Sequence, residues 1–122
     1  RELVDDGRWT LPGGWADVGE FPSEAVAREV LEESGLAVIP RKLVGIFDAN
    51  RVGEPLSFYH AYKVVFLCDI TGGELRPSDE TLDAGFFSPV SLPPLSNERT
   101  GERHIHEAFA HYSDAQRLAA FD

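Results

Sequence analysis

The chain has 122 residues, which fits one globular domain with its own hydrophobic core. Its hydrophobic content of 43%, with two Trp, three Tyr and eight Phe, excludes a disordered protein. The formal net charge of −10 at pH 7 argues against non-specific binding to nucleic acid or to an anionic membrane.

The cysteine content and the hydropathy exclude further classes of protein. Cys68 is the only cysteine, so neither a disulfide framework nor a zinc-thiolate site is expected. Its apolar neighbours predict a buried core thiol. No segment approaches the ~20 apolar residues that span a bilayer, and the start of the chain is not that of a signal peptide. We therefore expect a cytoplasmic protein that does not act at a membrane.

The first predicted elements frame a glycine-rich loop. Arg8–Leu11 reads as a strand that leads into Pro12-Gly13-Gly14. A helix is expected to follow, with Pro22 at its start and Gly35 as its left-handed stop.

The rest of the chain alternates strands and a helix. Lys42–Asp48 and Phe58–Ile70 are rich in aromatic and β-branched residues, which predicts a hairpin across Ala49–Ser57. Gly85–Ser88 is expected to form a short strand and Glu102–Tyr112 a helix. The apolar face of that helix would hold Ile105, Ala108, Phe109 and Tyr112. These elements indicate an α/β protein.

Three acids lie on one face of the first predicted helix. At about 100° per residue, Glu29, Glu32 and Glu33 fall within roughly a third of its circumference. Glu32 and Glu33 also lie in the last turn, where the helix dipole disfavours negative charge. A solvated surface is the ordinary explanation of clustered Glu. A divalent cation such as Mg²⁺, Mn²⁺ or Ca²⁺ is the alternative, because these ions prefer oxygen ligands.

The residues around the acids favour the second explanation. Residues 14–36 match the Nudix box at all nine specified positions, in order and spacing. The matching residues are Gly14, Glu20, Arg28, Glu29, Val30, Glu32, Glu33, Gly35 and Leu36. Agreement at nine positions by chance is negligible in so short a chain. The chain therefore resembles the Nudix hydrolases.

The resemblance implies a fold and a reaction for residues 1–122 as one domain. The expected fold is an α-β-α sandwich over a mixed β-sheet. Family domains generally carry more chain before the box, and Arg1–Val4 reads as the tail of a strand, so we expect the sequence to lack its natural N-terminal strand or strands. The expected activity is Mg²⁺-dependent hydrolysis, with Mn²⁺ as a substitute, of a nucleoside diphosphate linked to another moiety. A homodimer is expected, without specific nucleic-acid binding.

The same resemblance assigns metal ligands. Glu29 and Glu33 would bind the ions, Glu32 would be a third or shared ligand, and the carbonyl oxygen of Gly13 would complete the shell. Carboxylates neutralised by divalent ions can bind a diphosphate that free carboxylates would repel. Arg28 would either pair with Glu24 or Glu32 or orient a catalytic carboxylate.

The general base differs among family members: some use a box glutamate and others an acid on a later loop. Glu80 is our candidate in this chain, with Asp79 or Asp83 as alternatives. A solvated loop acid is the competing interpretation of each. A base here must come within hydrogen-bond reach of the attacking water.

Sequence features beyond the nine specified box positions indicate which substrate the protein uses. The pattern GRWTLPGGWADVGE and the later segments Gly85–Phe87 and Leu92–Ser96 resemble ADP-ribose or CDP-alcohol pyrophosphatases. Trp15 would stack on a base, line the pocket or pack in the core. Asp48, Asn50 and Arg51 would contact a ribose or a terminal phosphate, or be solvated loop residues.

Two other functions compete with this one. A non-catalytic Nudix-fold binding or sensor module usually lacks box acids, and this chain retains them all. A nucleoside triphosphate or RNA-end pyrophosphohydrolase is the other alternative, and the absence of a basic track disfavours action on RNA. The four histidines are expected at the surface or at an interface. They are His60, His104, His106 and His111.

Overall fold

The computed structural model describes residues 8–48, 61–78, 81, 83–95 and 101–122. Within these ranges, neither helix is long and apolar enough to cross a membrane. The elements, in chain order, are α1 (Pro22–Ser34), β1 (Leu36–Asp48), β2 (Tyr62–Gly73), α2 (Glu102–Ser113) and β3 (Ala120–Phe121).

Helix α1 begins and ends at the residues that the sequence predicts. Pro22 occupies its first turn, where the missing N–H has no role in the helix. The Glu24 carboxylate accepts a hydrogen bond from the Phe21 N–H at 3.1 Å, which satisfies one free donor at the N-terminus. Gly35 ends the helix at φ 82°, with its N–H bound to the Leu31 carbonyl.

We expect Gly35→Ala to lower the free energy of unfolding by at least about 1 kcal/mol, the cost of placing a Cβ in the left-handed region. A steric clash with the backbone that follows β2 adds to this cost, because a Cβ at Gly35 would lie 2.3 Å from the Glu74 carbonyl oxygen. Urea unfolding measures the difference. Gly72→Ala is the matched control, since no atom lies within 4 Å of its Cβ position. Equal stability of the two variants would contradict this role for Gly35.

A three-stranded mixed sheet follows α1 directly. Strands β1 and β2 are antiparallel, and their register runs from Leu36 opposite Gly73 to Asp48 opposite Tyr62. Strand β3 pairs in parallel with β1 at Gly45 and Ile46, which gives the order β2-β1-β3. The predicted hairpin and mixed sheet are confirmed, while the predicted connection 49–57 lies outside the described residues.

The central core forms where the sheet meets α2. Val44, Phe47 and Val65 are buried there, with Leu67, Ala108 and Ala120 packed against them. Helix α2 confirms the predicted Glu102–Tyr112 segment and adds Ser113. Cys68 is half-buried, and this burial raises the pKa of its thiol, which keeps it protonated.

The inward face of α2 differs from the prediction at its last turn. His111 is buried and Tyr112 is 70% exposed. His111 lies three residues after Ala108 and six after Ile105, so it continues their face toward the sheet. The expectation of a surface position is therefore wrong for His111. It is confirmed for His106, while His104 is half-buried and His60 lies outside the described residues.

Two predicted strands are not formed. Arg8–Leu11 makes a single parallel bridge, between Trp9 and Leu95, and Gly85–Ser88 has no strand structure. A ring contact joins the two segments instead, because Phe87 meets Trp9 edge-to-face with centroids 4.8 Å apart. Aromatic packing of this kind needs no ladder of backbone hydrogen bonds.

Candidate functional site

Two of the three clustered acids on α1, Glu29 and Glu33, are largely buried. Glu33 is 8% exposed and lies with Ala25 and Val30 on the buried side of the helix, whereas Leu31 is 45% exposed. The Glu29 side chain is 13% exposed. The helix therefore buries part of its acidic face, while the Glu32 side chain is 57% exposed.

The glycine-rich loop Pro12-Gly13-Gly14 contacts two of these acids. Glu33 Oε2 accepts a hydrogen bond from the Gly13 N–H at 3.0 Å. Gly14 lies so close to Glu29 that a Cβ there would be 2.7 Å from Glu29 Oε1. Only a residue without a side chain fits at position 14 while Glu29 keeps this position.

Arg28 connects the remaining acids. Its Nε and Nη2 donate to the two oxygens of Glu20 at 2.8 and 3.0 Å. Its Nη1 donates to Glu29 Oε1 at 3.0 Å and to Glu32 Oε2 at 3.2 Å. Nη2 also reaches the Trp15 carbonyl. The predicted pairing of Arg28 with Glu32 is confirmed, and its contact with Glu29 is the geometry that the second interpretation requires, while a catalytic role for that carboxylate stays a prediction.

The ion pair between Glu20 and Arg28 is charged at any working pH. The two hydrogen bonds from Arg28 lower the pKa of Glu20 to about 2, from an ordinary 4.5, and the same contact raises the pKa of Arg28. Because the folded-state pKa of Glu20 is depressed, its contribution to stability is complete above about pH 4.5 and is lost as the pH falls toward 2.

The donor chemistry of the site fits a divalent cation. Glu29, Glu32 and Glu33 supply carboxylate oxygens only, which Mg²⁺ and Mn²⁺ prefer. A carboxylate has about four lone-pair sites, so its contacts with Arg28 or Gly13 leave acceptor capacity. Within the part of the chain that the structure describes, no three acidic, His or Cys side chains converge as a ready-made metal cluster.

A cavity of about 220 Å³ opens beside Glu33. Thr81, Asp83, Trp9 and Phe86 are among the residues that line it with Glu33. The structure therefore brings one predicted loop acid, Asp83, to the same space as a predicted metal ligand. The first candidate for the base, Glu80, and its alternative Asp79 lie outside the described residues.

A larger groove of about 720 Å³ also lies against the glycine-rich loop. It is lined by residues 10–16, Glu29 and side chains of β2 that include Tyr62 and Val64. Trp15 is 68% exposed at this groove. Trp15 is therefore not packed in the core formed by the described residues. The two other interpretations, stacking on a base and lining a pocket, remain open.

Asp48 lies at the end of β1 and lines neither of the two cavities. Its register partner on β2, Tyr62, lines the groove that contains Glu29. The Asp48 N–H is bound by Asp122 Oδ2 at 2.8 Å. Asn50 and Arg51 lie outside the described residues, so all three predicted substrate contacts stay predictions.

The sequence analysis missed one residue at this site, Thr81. Its side chain is buried and its hydroxyl donates to the backbone carbonyl of Glu33. Ser78 and Thr81, three residues apart, are joined by hydrogen bonds to the Thr81 hydroxyl. Such a pair is a recognisable turn signal in a sequence, but nothing local indicates that Thr81 contacts α1.

Known proteins resemble this chain in sequence. Residues 3–109 match the NUDIX domain family. The YjhB protein of Bacillus subtilis (strain 168) is 34% identical over all 122 residues, and the chain spans 58% of its length.

Two solved structures resemble the whole fold. The crystal structure of an ADP-ribose pyrophosphatase from Streptococcus suis 89-1591 superposes with a TM-score of 0.86 and 34% identity, over 100% of this chain and 86% of that one. The crystal structure of UDP-X diphosphatase gives a TM-score of 0.81 and 32% identity, over 95% of this chain and 56% of that one. These likenesses confirm the α/β fold expected from the sequence.

Proposed function

The chain belongs to the Nudix family, and on this premise we propose that it is a divalent-metal-dependent pyrophosphohydrolase of nucleoside diphosphates linked to a second moiety. Water adds its oxygen to one phosphorus and the bridging P–O bond breaks, so the products are a nucleoside monophosphate and a phosphorylated second moiety. One observation carries the proposal: Glu29 and Glu33, one helical turn apart, both lie against Gly13-Gly14.

ADP-ribose is the proposed substrate and a CDP-alcohol such as CDP-choline the second choice. The solved ADP-ribose pyrophosphatase that resembles the whole chain supports ADP-ribose. The likeness to UDP-X diphosphatase supports the part that such substrates share, a nucleoside diphosphate. Because one fold hosts several substrates, the base and the second moiety follow from the pocket and not from the fold.

We assign the ligands of Mg²⁺, with Mn²⁺ as a substitute, to Glu29 and Glu33, with Glu32 and the Gly13 carbonyl as further ligands. A bound divalent ion would supply charge neutralisation for the diphosphate and a lower pKa for the attacking water. The positions of Glu29 and Glu33 support this assignment, because both carboxylates lie against Gly13-Gly14 and keep acceptor capacity beyond their contacts with Arg28 and Gly13.

Arg28 and a loop acid complete the proposed site. Arg28 holds Glu29 in place while its bond to Glu20 keeps the guanidinium fixed. Glu80 is the first candidate for the general base. Asp83 is the alternative with structural support, because it lines the same cavity as Glu33.

The experiment that tests this function is a substrate panel. ADP-ribose, CDP-choline, a UDP-sugar, NADH, diadenosine polyphosphates and nucleoside triphosphates are incubated with Mg²⁺ or Mn²⁺, and the products are separated by chromatography. We expect ADP-ribose to give AMP and ribose 5-phosphate at the highest kcat/KM, with no turnover when EDTA removes the metal. Equilibrium binding is measured in parallel.

Three results would contradict the proposal. Binding of ADP-ribose without turnover of any compound would indicate the non-catalytic module. The highest kcat/KM with nucleoside triphosphates would indicate the triphosphate alternative. Equal rates with and without EDTA would exclude the metal assignment.

We further propose that the protein acts in the cytoplasm as a homodimer. The acidic composition, with a net charge of −10, supports a small-molecule partner over nucleic acid or an anionic membrane. Size-exclusion chromatography with light scattering measures the oligomeric state, and a monomer at micromolar concentration would contradict the dimer.

A further inference from the structure

The C-terminal end of α1 is held by a segment that follows β2. The last carbonyl groups of a helix have no partner inside it. The Ser34 carbonyl accepts a hydrogen bond from the Arg76 N–H at 2.8 Å. The Glu33 carbonyl accepts one from Thr81 Oγ1 at 3.1 Å. The chain after β2 therefore supplies two of the bonds that the helix end requires.

Thr81 is the central residue of this contact. It is 7% exposed. Besides donating to Glu33, its hydroxyl accepts a hydrogen bond from the Ser78 N–H at 2.9 Å and lies 2.9 Å from Ser78 Oγ. A threonine hydroxyl has one proton to donate. Since that proton goes to Glu33, the Ser78 hydroxyl donates to Thr81, and the full capacity of the Thr81 hydroxyl is used.

The contact fixes two acids relative to each other. The residue whose backbone Thr81 holds is Glu33, and the Glu33 side chain lines the 220 Å³ cavity. Asp83 follows Thr81 by two positions and lines the same cavity. Loosening the hydroxyl contact would change where the Asp83 backbone lies relative to α1, while the helix itself keeps its own hydrogen bonds.

We propose that Thr81 is a positioning residue that holds Asp83 at a set distance from the proposed metal-binding end of α1. The inference rests on the proposed function, since it concerns the rate of the same hydrolysis. Thr81 acts through its hydroxyl on the backbone carbonyl of Glu33, and the remaining capacity of that hydroxyl is taken by Ser78. Substitution of Thr81 should therefore lower kcat with little change in KM or in the response to metal.

The experiment compares Thr81→Val, Thr81→Ser and a matched control. Valine keeps the shape of threonine and removes the hydroxyl, while serine keeps the hydroxyl. Thr71→Val is the control, because Thr71 also donates to a backbone carbonyl, that of Ala37 at 3.2 Å, but on the exposed part of β2. Kinetics with ADP-ribose give kcat and KM, and melting curves with and without MgCl₂ report metal binding independently of turnover.

We expect Thr81→Val to lower kcat at least about tenfold, as small misplacements of reacting groups do. KM should change less than about twofold, while Thr81→Ser and Thr71→Val keep nearly full activity. The rise in Tm caused by MgCl₂ should be the same in Thr81→Val as in the wild type.

Two results would overturn the inference. An unchanged kcat in Thr81→Val would show that the hydroxyl does not position the loop. Loss of the MgCl₂-dependent rise in Tm together with activity would show that Thr81 maintains the helix and not the loop. A wild-type protein that hydrolyses no compound of the panel would instead refute the proposed function, and with it this role.

Discussion

Glu33→Gln will lower kcat with ADP-ribose and Mg²⁺ by at least about 100-fold, because a carboxylate that binds the ion supplies several kcal/mol of charge stabilisation. The fold should survive, since a glutamine amide oxygen can accept the same hydrogen bond from the Gly13 N–H. Steady-state kinetics measure the loss. Melting curves measure a second effect: millimolar Mg²⁺ should raise the Tm of the wild type and raise that of Glu33→Gln less.

Glu24→Gln is the matched control for this change. Glu24 lies on the same helix, and its carboxylate bonds the Phe21 N–H at the N-terminus, away from the glycine-rich loop. We expect its kcat to stay within about twofold of the wild type, because its side chain contacts no proposed ligand. Near-normal activity of Glu33→Gln with Mg²⁺ would remove Glu33 from the metal site.

Gly14→Ala will also lower kcat strongly, by about 10- to 100-fold, because it displaces a reacting-site carboxylate by a distance on the order of 1 Å. The added Cβ would lie 2.7 Å from Glu29 Oε1 and 2.8 Å from Glu29 Cδ. These distances are shorter than any ordinary contact, so either the loop or Glu29 must move. A moved Glu29 also loses its hydrogen bond from Arg28.

Kinetics and a Mg²⁺ titration of activity test this expectation together. Gly14→Ala should need a higher Mg²⁺ concentration for half-maximal rate, since the change acts on a proposed ligand. Gly72→Ala makes the same chemical change where no atom lies within 4 Å, and it should behave as the wild type. If Gly14→Ala also behaved as the wild type, the close contact between Gly14 and Glu29 would have no role in activity.

The elements that sequence predicts well are those with local signals. Pro22 and Gly35 mark the ends of α1 because proline and left-handed glycine have backbone preferences independent of the rest of the fold. The β1–β2 hairpin and α2 follow from side-chain composition and period. The match to the Nudix box likewise needed only order and spacing.

Burial was harder to predict because it depends on distant segments. Glu29 and Glu33 on α1 contact the glycine-rich loop, and Glu33 also lies beside Thr81 in the cavity. No pattern within the helix indicates this, and a hydrophobic periodicity would place Leu31 inside. In α2, His111 is buried because the neighbouring positions on its face pack on the sheet.

Pairings made by very short segments also escaped the sequence analysis. Strand β3 has two residues, Ala120 and Phe121, too few for any periodic signal, and it pairs with β1 in the middle of that strand. Thr81 is a single residue whose partner, the Glu33 carbonyl, lies 48 positions earlier. Contacts of this separation are set by the tertiary fold and not by local preference.

Strands β1 and β2 pair along their whole lengths, and this limits which parts of the chain can change in sequence without moving the site. The ladder between them starts at Leu36 and Gly73 and continues to Asp48 and Tyr62, so the chain leaves the end of α1 and returns to it. The positions of residues after Gly73 are thus set by the ladder, whatever the connection between Asp48 and Tyr62 contains. Lengthening that connection costs only about 0.6 kcal/mol per doubling. New sequence can therefore be inserted or exchanged between Asp48 and Tyr62 while the residues after Gly73 keep their place beside the end of α1.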